Sequence, residues 1–312
     1  MRILITGASG AMGYYLARYI KSKQIGEVFG IGRRLEANCE YIDRYDRIDI
    51  SREPKDRIAD YIRSVGPEVI FHLAAMANVR DSFTNPENYF QNNIDGTLNF
   101  FEALALSGCR PRVILGSTSE VYGNVPQRLN PICETAPIKP VNPYAITKCS
   151  QEHIAGFYST ACDFPLVITR AFGYINPKRA DLVATVIAKQ LVECERGERG
   201  VIYHGDLTPV RSFCDVRDIA EAYWLATTVP PGAYNIGNER PCRIAELVSI
   251  LKGISAVKPE FREVEYLKRP TDIFHAVPDV LKFRRVARWT PKISLHESLV
   301  WLMEGLRQTC AA

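Results

Sequence analysis

What the chain lacks narrows its function before any motif is read. No apolar run among its 312 residues reaches membrane-spanning length. No run of Lys and Arg is long enough for a nucleic-acid arm. Nine cysteines, Cys39, Cys109, Cys133, Cys149, Cys162, Cys194, Cys214, Cys242 and Cys310, are odd in number and form no C-x-x-C pair. That argues against a disulfide framework or a structural zinc, so no metal is expected and the thiols are expected to be reduced, mostly in the core. Internal repeats and low-complexity tracts are missing. The opening residues, Met1 to Thr6, read as a strand and not as a leader with charged, apolar and small-residue regions. A soluble, cytoplasmic protein is expected, with neither nucleic acid nor membrane as partner. The formal charge of +4 is spread thinly and is as compatible with solubility as with a small anionic substrate.

What is present reads as alternating strands and helices. Ile3-Leu4-Ile5 is a short strand, and Gly7, Gly10 and Gly13 follow, with Ala11 and Met12 between them, before a helix from Tyr14 to Lys23. Glycines there let a tight turn bring backbone N–H groups and a helix N-terminus against a pyrophosphate. A second strand, Val28 to Ile31, ends in Gly32-Arg33-Arg34, where an acid for a ribose hydroxyl is usual. Two guanidiniums suit a 2′-phosphate, which favours NADP over NAD; Asp43 or Asp46 reaching back would reverse this. A third strand, Arg47 to Ile50, would offer Asp49 to an adenine amino group. Helix Glu53 to Val65 leads to strand Glu68 to Ala75, whose small residues let the main chain approach a cofactor. His72 reads as a packed strand residue. A helix from Pro86 to Leu106 carries Asn93, a ligand for the nicotinamide ribose. The pattern predicts an α/β fold with a doubly wound parallel sheet.

The stretch that organises the rest is Asn142-Pro143-Tyr144-Ala145-Ile146-Thr147-Lys148. On a helix, Tyr144 and Lys148 share one face. A nearby cation stabilises a phenolate and draws its pKa down from ~10, so Tyr144 could exchange a proton with a sugar hydroxyl. Tyr19 and Lys23 have the same spacing. Only Tyr144 follows an apolar strand, Arg112 to Gly116, that delivers Thr118, Ser119 and Glu120 to its C-terminal end, where open α/β sheets place their sites.

Together, Gly7-x-x-Gly10-x-x-Gly13, Asp49, His72-Leu73-Ala74-Ala75, Asn93-x-x-Gly96-Thr97, Ser117 to Gly123 and Tyr144-x-x-x-Lys148 resemble the extended short-chain dehydrogenase/reductase family, in its nucleotide-sugar epimerase/dehydratase branch. The resemblance implies a Rossmann domain over 1–173, rejoined by 212–238, and a substrate lobe from 174–211 and 239–312. It implies a cofactor, NADP with NAD possible, held by Gly7, Gly10, Ala11, Met12, Gly13, Arg33, Asp49, Ile50, Leu73, Ala74, Ala75, Asn93, Tyr144 and Lys148. Catalysis would fall to Thr118, Glu120, Tyr144 and Lys148, with hydride transfer at sugar C4. A carboxylate at Glu120 could take the C5 hydrogen of a 4-keto sugar, as a GDP-mannose-type 4,6-dehydratase requires, and that is the leading expectation. A GDP-4-keto-6-deoxymannose-type reductase, using Tyr144 as an acid, and a 4-epimerase remain open, as does a regulatory relative without turnover.

For the second half, the resemblance implies that Ser119, Arg211, Arg269 and Asp272 meet a nucleotide-diphosphate sugar, GDP-linked. Arginine suits a bidentate phosphate grip, although Arg211 could instead serve an interdomain salt bridge. The chain departs from the family pattern at Gly173, where an asparagine is usual, at Asn176, where a glycine is usual, and at Ser212, where an aspartate is usual. The final helix carries Leu295, Leu299, Leu302, Met303 and Leu306 as a core stripe. A homodimer is implied through the helices 86–106 and 144–160, with Phe90, Phe100, Phe101, His153 and Phe157 as contact material.

Overall fold

The computed structural model describes residues 1–34, 39–268 and 271–309. In its first half, β1 (Arg2–Thr6), α1 (Ala11–Ser22), β2 (Glu27–Gly32), β3 (Arg44–Arg47), α2 (Lys55–Val65), β4 (Val69–His72), α3 (Val79–Thr84), α4 (Pro86–Tyr89), α5 (Gly96–Ser107), β5 (Arg112–Thr118), α6 (Pro143–Cys162) and β6 (Leu166–Ala171) succeed one another. The second half comprises β7 (Tyr174–Ile175), α7 (Val183–Glu195), β8 (Val201–His204), β9 (Val210–Arg211), β10 (Cys214–Asp215), α8 (Val216–Leu225), β11 (Gly232–Ile236), β12 (Cys242–Arg243), α9 (Ile244–Ile254), β13 (Glu260–Glu263), β14 (His275–Ala276), α10 (Leu281–Ala287) and α11 (Leu295–Thr309).

Seven strands form one parallel sheet in the order β11-β6-β5-β4-β1-β2-β3. Alternation along each strand divides its side chains between two faces. Ile3, Ile5, Phe71 and Ile114 pack on one side with Ile219, Phe283 and Trp289, whereas Leu4, Ile70, Val113 and Leu115 pack on the other with Ile58, Phe100, Phe101 and Ala155. Both faces are covered, as parallel sheets require. The chain reverses direction across the sheet between β1 and β4, and that switch opens a crevice at the strands' C-terminal ends.

Three expectations change in the structure. The third strand stops at Arg47, because Ile48 N–H bonds Gly32 O at 3.1 Å and the Asp49 carboxylate then accepts from Ser51 N at 3.0 Å and its hydroxyl at 2.7 Å, turning the chain toward α2. The helix expected over 86–106 contains a π-helical stretch, Phe90–Asp95, between α4 and α5; such bulges rotate the residues beyond them. Phe100 and Phe101 accordingly lie in the core, not on a partner-facing surface. Cys194, Cys214 and Cys242 are buried, but Cys109, Cys133, Cys149 and Cys162 are only half-buried.

Outside the large sheet, β7 pairs with β10, β8 with β13, and β9 with β12 and β14. Leu299, Leu302 and Met303 of α11 are fully buried against α7 and α9, with Leu295 and Leu306 partly buried beside them. Ser294 and Glu297 form the capping box that starts α11. No helix of the described residues is long and apolar enough to cross a membrane.

Candidate active site

The crevice between β1 and β4 is closed by main chain. Gly7 has φ +70°, and a Cβ there would stand 2.8 Å from Ala74 Cα; only glycine allows this approach. Gly7, Gly10, Arg33, Asp49, Ile50, Leu73, Ala74 and Ala75 border the crevice. Ala11, Met12 and Gly13 form the first turn of α1 behind it, where Met12 packs against the Tyr15 cluster. At the far end, Arg33 bonds Asn92 and Arg34 bonds Ser9 O, while Arg47 Nε donates to Arg33 O at 3.2 Å. Asp43 is engaged by Lys21 and Val28 N–H, and Asp46 by Arg44. Neither acid turns toward the arginines. A strapped glycine turn at a helix N-terminus, with the Arg33 and Arg34 guanidiniums at the far end, fits a dinucleotide carrying an extra phosphate.

Asn93 is placed differently from its expected role on a ribose. It is fully buried, its carbonyl accepts from Met76 N at 2.7 Å, and its amide donates to Met76 O and Thr147 Oγ1, each at 2.9 Å. It fastens the loop after β4 to α6.

That helix begins at Asn142, whose Oδ1 caps Ala145 N at 2.8 Å, with Pro143 at the first position. The Asn142 amide also donates to Glu120 Oε2 at 2.8 Å. One residue thus starts the helix and fixes the carboxylate. Thr118, Ser119, Glu120 and Tyr144 line a cavity of about 410 Å³, within the usual range for small-molecule sites. The Tyr144 phenol and the Thr118 hydroxyl line this cavity together. Burial pushes this phenol above its ordinary range, and Tyr174 and Glu120 add to the rise; Arg179 and Thr118 oppose it.

Lys148 lies one turn deeper and does not border that cavity. Its ammonium bonds Gln151, whose amide donates to Thr97 Oγ1 at 2.6 Å; Thr97 and Thr6 hydroxyls flank the two nitrogens of His72 at 3.1 Å, and Ala74 N–H donates to Thr6 Oγ1 at 3.2 Å. A buried polar string therefore runs from Lys148 to the cofactor loop. Burial lowers Lys148 to about 8, against the opposing field of Glu152, and lowers His72 to about 3, helped by Lys148. His72 is neutral and stacked on Phe100 at 4.9 Å, a packed residue. The expectation that Lys148 draws Tyr144 down is not met, because desolvation dominates the phenol and the ammonium is directed to Gln151.

On the substrate side, Arg211 and Asp272 both border the cavity and pair with each other at 3.0 Å. Arg269 lies outside the described residues. Gly173 has no space for a side chain: β7 and β10 pair so closely that a Cβ would stand 2.5 Å from the Ser212 carbonyl.

Residues 3–237 match the family model described as NAD dependent epimerase/dehydratase family. The chain belongs to this family. It is similar to GDP-6-deoxy-D-mannose reductase of Pseudomonas aeruginosa, 28% identical with 96% of this chain and 94% of that protein covered. It also resembles UDP-glucuronate 4-epimerase of Thermodesulfobacterium geofontis, 26% identical over 95% and 93% of the two chains. Among solved structures, UDP-glucose 4-epimerase of Thermotoga maritima with UDP-glucose superposes with TM-score 0.87 at 26% identity, covering 99% of this chain and 100% of that one. The protein is an NAD(P)-dependent enzyme of the epimerase, dehydratase and reductase group that acts on nucleotide sugars.

Within this epimerase/dehydratase family member, sequence reading missed two groups at the site. Arg179 lines the cavity beside Tyr144. Glu152 and Arg170 form a buried pair at 2.7 Å behind α6, joined by Ser117 and by Tyr122, which donates to Asn235 at 2.7 Å. Only the recurrence of 145, 148, 152 and 155 as the inner face of α6 could have flagged Glu152.

Proposed function

We propose that the enzyme is an NADPH-dependent 4-reductase of a GDP-linked 4-keto-6-deoxy sugar. The observation that carries this reading is the full-length likeness to the Pseudomonas reductase, supported by the placement of Tyr144, a half-buried phenol that lines the cavity with Thr118 and is pushed above its ordinary range by burial, suited to giving a proton to an oxygen that is becoming an alkoxide. NADPH, when bound, would supply a hydride to the carbonyl carbon and be spent once per sugar reduced. Thr118 and Tyr144 would hydrogen-bond the carbonyl oxygen, Tyr144 would transfer its proton to that oxygen as the C–H bond forms, and the phenolate would recover a proton from water. Arg33 and Arg34 at the crevice end and the engagement of Asp43 and Asp46 elsewhere support NADP. The likeness to the Pseudomonas reductase over nearly the full length of both chains supports the GDP-linked sugar.

Glu120 favours a second reading. Its carboxylate borders the cavity and is anchored by Asn142, as a base for the C5 hydrogen in a 4,6-dehydratase would be. Cofactor balance separates the two. Stoichiometric oxidation of NADPH by GDP-4-keto-6-deoxymannose is the expected result; conversion of GDP-mannose with only a trace of NADP⁺ and no net oxidation would replace the reductase by the dehydratase. A UDP-linked keto sugar as the better substrate would correct the nucleotide. We also propose a homodimer, supported by exposed Leu98, Ile146 and Phe157 on α5 and α6; a monomer in sedimentation equilibrium would remove it.

A further inference from the structure

Tyr144 must shed its proton and carry charge, if only briefly, in a site whose burial opposes that. The groups facing it come from five elements. Lys148 shares its helix but bonds Gln151 below the cleft. Thr118 and Glu120 stand at the end of β5, Tyr174 on β7, and Tyr223 on α8. Arg179 faces it from the segment between β7 and α7. Thr118 can only share a hydrogen bond, Glu120 opposes a phenolate, and the other two are phenols. Arginine keeps its charge at any working pH.

The guanidinium is fixed from two directions. Nε donates to Asp181 Oδ1 at 2.7 Å and Nη2 to Asp181 Oδ2 at 2.6 Å, a fork-to-carboxylate pair. Nη2 also donates to the Ala77 carbonyl at 3.0 Å, in the loop that follows β4. Arg179 therefore spans the cleft from the entry of the substrate lobe to the loop that lines the cofactor crevice. Its side chain retains only 20% exposure, so the charge is weakly screened where it meets Tyr144.

We propose that Arg179 is a positioning residue for the reaction, the fixed cation that stabilises the Tyr144 phenolate at the moment its proton passes to the substrate. The proposal rests on the reading of Tyr144 as proton donor. Among the influences on Tyr144, the field of Arg179 is the largest that opposes burial. Asp181 holds the guanidinium in place and attenuates its field.

The test needs no sugar, so it stands or fails separately from the choice of reaction. Tyrosinate absorbance is titrated in the NADP⁺-bound enzyme, and the curve of Tyr144→Phe is subtracted from that of each protein to isolate Tyr144. Arg179→Met should raise the midpoint by about 1 pH unit or more, and Arg179→Lys should recover most of the shift. Asp181→Asn keeps the guanidinium and removes its counter-charge, so it should move the midpoint down. Should Arg179→Met fail to fold, the Lys and Asn variants decide. A tether with no electrostatic role would lower thermal stability and leave all three midpoints at the wild-type value; that result, or a rise in Asp181→Asn, would overturn the proposal.

Discussion

The two sides of the cleft are built by different means. On the cofactor side, main chain meets main chain: Gly7 against Ala74, with a buried string of Thr6, His72, Thr97 and Gln151 beneath them. On the substrate side, short strands and the loops between them bring side chains together at the cavity wall, as Arg211 of β9 pairs with Asp272 in the segment before β14. The first arrangement tolerates almost no change of residue, whereas the second can exchange partners while the fold stays.

The comparison breaks most sharply at Gly7. Gly7→Ala places a methyl against Ala74 in a backbone conformation that alanine avoids, and should weaken NADPH binding by at least about tenfold, measured by nucleotide fluorescence; unchanged affinity would mean that the turn has slack the geometry denies. Arg33→Ala tests the ribose end with a smaller, selective effect. Loss of one charge-assisted phosphate contact should reduce affinity for NADPH by about tenfold and leave NADH alone; equal losses for both would assign Arg33 to loop structure. The smallest effect concerns Lys148 in the cofactor-free protein. Because burial lowers it to about 8, the folded state releases its proton before the unfolded state does, and this contribution raises stability as pH climbs from 8 toward the ordinary lysine value. Lys148→Met should therefore be more stable than wild type at pH 7, by up to on the order of 3 kcal/mol, with the advantage shrinking across that window. Parallel melting curves at every pH would contradict the burial account.

The same division explains what could be read in the sequence. Strand alternation, the glycine spacing and the small residues after His72 are local consequences of a parallel sheet around a close main-chain approach, and each is visible as a residue type at a fixed interval. Tyr144 and Thr118 were legible because a helix start and a strand end bring them together through local rules. Arg179 was not: its pairing with Asp181 looks like any surface Arg-x-Asp, and only the tertiary path of 176–182 turns it toward Tyr144. Phe100 and Phe101 were misplaced because a π-helical stretch rotates α5, and a helical period cannot register an inserted residue. Gly173 reads as a lost asparagine, yet the contact that requires it lies across two strands far apart in sequence.

The central claim is that hydride arrives at C4 while Tyr144 protonates the oxygen on that carbon. It is tested most directly with NADPH deuterated at the transferred position and a GDP-linked 4-keto-6-deoxy sugar, the product being read by NMR. The account predicts one deuterium at C4 for wild type and a loss of turnover of about a hundredfold or more for Tyr144→Phe with NADPH still bound. Deuterium at C6, or substantial turnover without the phenol, would contradict it.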